Sequence, residues 1–279
     1  MTITIIGLGL IGGSMALILK EKQFAEVVLG FDNNHSHCER ALELNLVDRI
    51  VSPEEAIPQS DLVILAVPVD QSAILLPKLL SLVKSQVIMD VGSAKEIICK
   101  SVISHSNRGR FVATHPMWGT EHSGPDAALR SAFQNKAAVI CERNKSDEDS
   151  VLMVEKVYSL LGMHLVYMNA SDHDIHTAYI SHVSHITSFA LANTVLEKEK
   201  EDNTIFELAS GGFESTVRLA KSSAAMWAPI FEQNRNNVLD VLNEHISQLK
   251  KFKACLEKEN YAYLSELIHN ANTIKRILK

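Results

Sequence analysis

The chain has 279 residues, with 27 Lys and Arg against 33 Asp and Glu and a formal net charge of −6. That length suits two domains, and the acidic balance argues against a nucleic-acid or other polyanionic partner. No apolar run approaches the roughly 20 residues of a membrane helix, and the four dispersed cysteines, Cys38, Cys99, Cys141 and Cys255, read as reduced thiols of a cytoplasmic protein rather than a disulfide frame or a zinc site.

The chain enters a strand at once, Thr2 to Ile6, which leaves no room for a signal peptide. Gly7, Gly9 and Gly12 follow as G-x-G-x-x-G, Ser14 to Lys20 reads as helix, and a second apolar run, Val27 to Phe31, ends at Asp32. Strand, glycine turn, helix, strand and acid form a dinucleotide fingerprint. Gly7 permits the sharp turn, Gly9 lets backbone approach a pyrophosphate, and Gly12 lets helix pack on strand. Unpaired N–H groups at the helix start, around Leu10 and Ile11, favour the anion. Asp32 suits ribose hydroxyls and repels a 2′-phosphate, so NAD is expected over NADP. The alternative is a strand-turn-helix whose glycines are incidental.

Residues 36–46 read as helix, Val47 to Val51 as a short strand, and Pro53-Glu54-Glu55 as a helix start. The nearly all-apolar run Asp61 to Val67, ending at Pro68, has the character of a parallel strand covered on both faces. Gln71 to Leu82 reads as helix, Gln86 to Val91 as a strand leading into Gly92, Ser93 and a helix from Ala94, and Phe111 to Thr114 as a strand delivering His115. Residues 115–126 carry no periodicity, the mark of a functional or disordered loop. Lys136 to Cys141 (strand), Asp147 to Leu161 (helix) and His164 to Met168 (strand) complete a doubly wound parallel sheet ending near Asn169. From Ser171 only helix is expected, with Ser171 as N-cap and Asp174 as its capping-box partner. The helix runs to about Lys200, where Glu197 to Asp202 mark a solvated end, and Gly211-Gly212 breaks the next one. Along the apolar segment from Ser222, Val238, Leu242, His245, Leu249, Phe252 and Leu256 form a coiled-coil-like stripe, either an internal core or a homodimer seam.

Ligands of such sheets bind at the carboxyl ends of the strands. Four stretches end there: Gly7–Gly12, Ala66-Val67-Pro68, Gly92-Ser93 and His115-Pro116-Met117. His115 is placed to act as a base near a nicotinamide, and Ser93 to orient it or hold the reacting oxygen; a purely structural histidine is the alternative. His182 and His185 share a face with Ala178 and Phe189. With no third ligand near in sequence, no metal is expected, leaving a buried polar pair or a neutral donor in the cleft. Arg218 suits a substrate carboxylate or a surface salt bridge, and Trp227 suits the core or a wall against a ring-shaped substrate.

Together these motifs resemble the prephenate/arogenate dehydrogenases of tyrosine biosynthesis (the TyrA group). The resemblance spans essentially the whole chain. It rests on Ile6–Ser14, Asp90-Val91-Gly92-Ser93-Ala94-Lys95, Thr114-His115-Pro116-Met117-x-Gly119-Thr120-Glu121, Ser181-His182-x-x-His185, and Gly212-Phe213 through Arg218 to Met226-Trp227. It implies an α/β fold with an NAD-binding Rossmann domain over residues 1–169 and an all-helical substrate and dimerisation domain over 170–279. It also implies oxidative decarboxylation of prephenate to 4-hydroxyphenylpyruvate, with arogenate as the other candidate substrate. His115 would be the catalytic base, assisted by Ser93. His185, Arg218, Thr120 and Trp227 would bind substrate, Arg218 on a carboxylate, with Glu121 in an ionic network at the pocket mouth. Val67 and Pro68 join Gly7, Gly9, Leu10, Ile11, Gly12 and Asp32 on the cofactor. Three departures stand out. Ser184 replaces a common Pro, Trp118 a smaller residue, and Ser215 the aspartate of the ionic gate, which makes that gate an open point. No chorismate mutase or ACT domain is expected, so any tyrosine control would act at the active site. A β-hydroxyacid or 6-phosphogluconate dehydrogenase generally uses a helical-domain Lys base, whereas this long helix has no Lys before Lys198. A non-enzymatic NAD sensor would have no use for Ser93, His115 and Arg218 together.

Overall fold

The computed structural model describes residues 1–200 and 204–277, so Glu201 and Asp202 of the expected solvated helix end lie outside the described residues. Eight strands form one sheet: β1 (Thr2–Ile6), β2 (Val27–Phe31), β3 (Arg49–Ile50), β4 (Leu62–Leu65), β5 (Val87–Asp90), β6 (Phe111–Pro116), β7 (Ala137–Cys141) and β8 (His164–Met168). Their spatial order is β3-β2-β1-β4-β5-β6-β7-β8. The order reverses beside β1, which opens a crevice between the ends of β1 and β4. Helices α1 (Leu10–Glu21), α2 (His35–Glu43), α3 (Pro53–Ala56), α4 (Val69–Leu82), α5 (Glu96–Ser101) and α6 (Glu148–Leu160) connect the strands.

Both faces of the sheet are covered, which is why β4 and β5 read as unbroken apolar runs. Ile3, Ile5, Ile64 and Met89 pack with Met15 and Leu19 of α1 and with Val154 and Tyr158 of α6. Ile6, Val63, Leu65 and Ile88 pack with Leu76 and Leu80 of α4 and Ile98 of α5. Helix α1 starts at Leu10 rather than Ser14, so Gly12 lies inside its first turns. A Cβ on Gly12 would stand 2.1 Å from the Gly7 carbonyl oxygen. Gly7 itself has φ +99°, and its added Cβ would meet the Ala66 carbonyl at 2.4 Å, so both positions require glycine.

One pair departs from the parallel pattern. Strand β7 runs antiparallel to β6, with His115 opposite Val139, whereas β7 and β8 are parallel. The reason is the connection. No helix crosses the sheet between β6 and β7; instead residues 117–136 leave the carboxyl end of β6, fold over α1 and α2, and re-enter at the same end. Arg40 bonds Asp126 at 2.8 Å, and the Leu129 amide donates to Ser14 Oγ at 2.9 Å. The loop is thus pinned to the helices behind the glycine turn.

After β8 the described residues are helical or connecting: α7 (Ala170–Thr177), α8 (Val183–Glu199), α9 (Gly211–Val217), α10 (Ala224–Gln233), α11 (Arg235–Glu257) and α12 (Tyr261–Ala271). Helices α7 and α8 are joined by one wide π-helical turn, Ala178–His182. Three local expectations change. Asn169, not Ser171, caps α7, because its side chain reaches the Asp172 amide at 2.7 Å. Gly211 and Gly212 open α9 rather than breaking a helix. The segment from Ser222 divides at Asn234 into α10 and α11. Along α11 the apolar stripe splits as well. Val238 is buried against Ala178 and Val241, whereas Leu249 and Leu256 are exposed. No helix of the described residues is long and apolar enough to cross a membrane.

Candidate active site

The site begins with a buried ion pair. Asp90 ends β5 and Lys95 lies five residues on; both side chains are fully buried and bonded to each other. Each makes further hydrogen bonds. Asp90 Oδ2 accepts from the Gly92 amide at 3.0 Å and Oδ1 from the Thr114 amide at 3.1 Å. Lys95 Nζ donates to the Thr114 carbonyl at 2.7 Å, and Thr114 Oγ1 bonds the Asp90 carbonyl and the Tyr158 hydroxyl. A buried pair is tolerated only when its other donors and acceptors are met in this way. The consequence is positional: the network locks the turn carrying Ser93 to the strand end carrying His115. Ser93 is half-buried, three residues beyond Asp90.

His115 is held from the helical side. Its Nδ1 lies 2.9 Å from His173 Nε2, with the rings edge-on, and His173 Nδ1 lies 2.7 Å from Asp174 Oδ1. A carboxylate only accepts, so His173 carries its proton on Nδ1 and turns a lone pair toward His115. His115 must then donate from Nδ1, which leaves its Nε2 as a free acceptor. Asp174 is itself fixed by two backbone donors at the start of α5, Lys95 N at 2.8 Å and Glu96 N at 2.9 Å. His173 and Asp174 were missed in the sequence because the run Ser171 to Asp174 also fits a helix cap. Lys95 did leave a signal, a charge pair Asp90/Lys95 flanking the end of an otherwise apolar strand.

Burial pushes His115 well below the usual histidine range, with the nearby His173, Lys95 and His182 adding to the fall. His173 and His185 are also lowered, chiefly by burial, and His182 is pushed down to about 4. All four are therefore neutral at pH 7.

Across the cleft, His185 stacks on Trp227 with centroids 3.5 Å apart, and His182 meets the same indole edge-on at 5.8 Å. Trp227 is buried against Val69 and Ala94, the residues that follow Pro68 and Ser93. It is therefore core and cleft wall at once, and its indole N–H has no hydrogen-bond partner among the described residues. Arg218, half-exposed, reaches Glu121 at 2.8 Å, so the ionic contact forms without an acid at Ser215, whose hydroxyl bonds the Gly212 carbonyl instead. Thr120 stays within its loop, accepting from the His122 amide at 3.2 Å. Trp118 packs edge-on against Phe133 in the loop base.

The glycine turn fits a dinucleotide. A Cβ on Gly9 would meet nothing within 4 Å, so the space beside it is open to a pyrophosphate, and the first turn of α1, with Leu10 and Ile11, offers free N–H groups there. Asp32 is held by the Leu8 amide at 2.8 Å and the Asn34 amide at 2.9 Å, with His37 3.5 Å away. Val67 is half-buried and Pro68 exposed at the end of β4.

Fold and site define a Rossmann-type dehydrogenase with a buried neutral histidine at the end of β6. Residues 15–167 match the family model described as prephenate dehydrogenase, nucleotide-binding domain, and residues 169–270 match prephenate dehydrogenase, dimerization domain. The chain is 32% identical over 267 residues to a prephenate dehydrogenase of Bacillus subtilis (strain 168), covering 93% of this chain and 71% of that protein. It is 30% identical over 280 residues to a cyclohexadienyl dehydrogenase of Zymomonas mobilis, covering 99% and 96%. A crystal structure of prephenate dehydrogenase from A. aeolicus, in complex with hydroxyphenyl propionate and NAD+, superposes with a TM-score of 0.90 at 27% identity, covering 100% of this chain and 98% of that one. The chain belongs to the prephenate dehydrogenase family and is an NAD-dependent dehydrogenase.

The lowered histidines set the pH dependence of stability. Each binds its proton more weakly folded than unfolded, so their contribution is complete above the unfolded value near 6.5 and is lost as pH falls below it. Thermal unfolding followed by circular dichroism should show a midpoint that drops between pH 7 and pH 5. A midpoint constant over that interval contradicts the neutral cluster.

Proposed function

We propose that this enzyme converts prephenate to 4-hydroxyphenylpyruvate and CO₂ in tyrosine biosynthesis. The observation that carries the reading is His115 at the end of β6, with Nδ1 committed to His173 and Nε2 free to accept. Prephenate carries a hydroxyl and a carboxylate on opposite carbons of a cyclohexadiene ring. His115 Nε2 accepts the hydrogen bond of the hydroxyl and takes its proton as the carbon–hydrogen bond at that carbon breaks. NAD+, held by Gly7, Gly9, Leu10, Ile11, Gly12, Asp32, Val67 and Pro68, supplies the hydride acceptor. The carboxylate on the opposite carbon leaves as CO₂, its bonding pair closes the aromatic ring, and the proton returns to the phenolic oxygen. Aromatisation drives the reaction, so the protein's work is to position and polarise.

Ser93 assists the base at the same hydroxyl. Glu121 uses Arg218 Nη1, and the other guanidinium donors are left for a substrate carboxylate. His185 and Trp227 form the wall around the side chain, with Thr120 and Glu121 at the mouth. The division into a cofactor domain over 1–169 and a substrate domain over 170–279 follows the change from strands to helices after Met168. The buried free cysteines support a cytoplasmic enzyme.

Purified protein should form NADH with prephenate faster than with arogenate, and not at all without substrate. His115→Asn should lower kcat by about two to four orders of magnitude with NAD affinity intact, and Arg218→Ala should mainly raise KM. Near wild-type turnover by His115→Asn would sink the reading. The helical domain also supports a homodimer, since Leu249 and Leu256 expose 55% and 59% of their surface on one helix. Sedimentation equilibrium should give twice the chain mass of 30.9 kDa, and a monomer at micromolar concentration contradicts this.

A further inference from the structure

Three neighbouring histidines, His115, His182 and His185, do not offer the same chemistry. His115 presents a lone pair at Nε2. His185 Nδ1 lies 3.0 Å from the Ser181 carbonyl, an atom that can only accept, so its proton is on Nδ1 and its Nε2 is again an acceptor. His182 is the opposite case. Its Nδ1 lies 3.1 Å from Asn234 Nδ2. The same amide nitrogen lies 2.6 Å from the Asp174 carbonyl, a contact that only an N–H can make, so the orientation of the amide is fixed. Its Oδ1 accepts from Asn237 at 2.8 Å. Asn234 thus donates to His182 Nδ1, and the single ring proton of neutral His182 sits on Nε2.

We infer that Asn234 is a positioning residue, which holds His182 as the one histidine donor of the cleft, its Nε2–H serving a carboxylate or keto oxygen of the substrate. This rests on the substrate reading above. A dicarboxylate with one hydroxyl needs more donors than acceptors, and His115 and His185 supply only acceptors. Arg218 stands half-exposed at the mouth, whereas His182 is 1% exposed, deep between the rings of Trp227 and Phe231. A donor so placed is strong because water does not compete with it. Asn234 is suited to fix it. It is buried at the junction of α10 and α11, and one amide joins His182 to the backbone of Asp174, the residue behind the base.

The test uses full-length protein labelled with [15N]histidine. Long-range 1H–15N spectra at pH 7.5, with His182 assigned through His182→Gln, should show an unprotonated Nδ1 and a protonated Nε2; the reverse tautomer overturns the inference. Asn234→Leu should mix the tautomers and raise KM for prephenate about tenfold, with kcat changed less than about threefold. The amide of His182→Gln donates without any tautomer, so in that background Asn234→Leu should move KM less than about twofold. An equal rise in both backgrounds marks a merely structural role and overturns the inference. Should Asn234→Leu fail to fold, His182→Gln and His182→Leu decide: KM near wild type for the first and raised about tenfold for the second supports the donor, and equal values overturn it. A protein that forms NADH from neither prephenate nor arogenate overturns the substrate reading alone, because the tautomer spectrum still tests Asn234.

Discussion

The Asp174 carboxylate is where the two halves of this protein meet. It sits in α7, the first helix after the sheet, yet both of its oxygens are taken by backbone amides at the start of α5. One of those amides belongs to Lys95, whose side chain is buried against Asp90 and the Thr114 carbonyl. The same carboxylate holds His173, and His173 holds His115. A single acid therefore sets the approach of the helical unit to the sheet and the orientation of His115. If α7 shifted by an ångström, both would be lost together.

In the proposed mechanism the relay also explains how a histidine can serve as base in so dry a place. Burial disfavours the imidazolium, which keeps His115 neutral, but a neutral ring can carry its proton on either nitrogen. Only the chain of hydrogen bonds from Asp174 makes the exposed nitrogen the basic one. Lys95 stays behind the site, held by Asp90 and the Thr114 carbonyl. Around this centre the remaining groups divide by reach. Trp227 and His185 stack to form a wall, while half-exposed Arg218 is paired with Glu121 at the rim.

Much of this was legible in the sequence where local geometry dictates residue type. The glycine turn, Asp32 and the two-sided apolar strands could be read because each needs particular residues at fixed spacing, and Gly7 and Gly12 leave no room for a Cβ. His115 and Arg218 could be singled out by position and by family resemblance. The antiparallel turn of β7 could not, because its direction depends on where a twenty-residue loop lands, and that is decided by contacts as distant as Arg40 to Asp126. His173 and Asp174 stayed hidden for a different reason. An acid near the start of a helix is a cap or a partner depending on what lies opposite it, and what lies opposite, Lys95, is 79 residues away. Asn234 looked like one more residue in an apolar helical stretch.

If Asp174 dictates which nitrogen of His115 is basic, removing its charge must misdirect the ring. The most direct measurement is kcat of Asp174→Asn with prephenate and saturating NAD+, in protein whose circular dichroism and NAD affinity match wild type. An amide can donate to His173 and reverse both tautomers, so kcat should fall by at least about a hundredfold, in line with a misdirected histidine base elsewhere. A kcat within about threefold of wild type would contradict it.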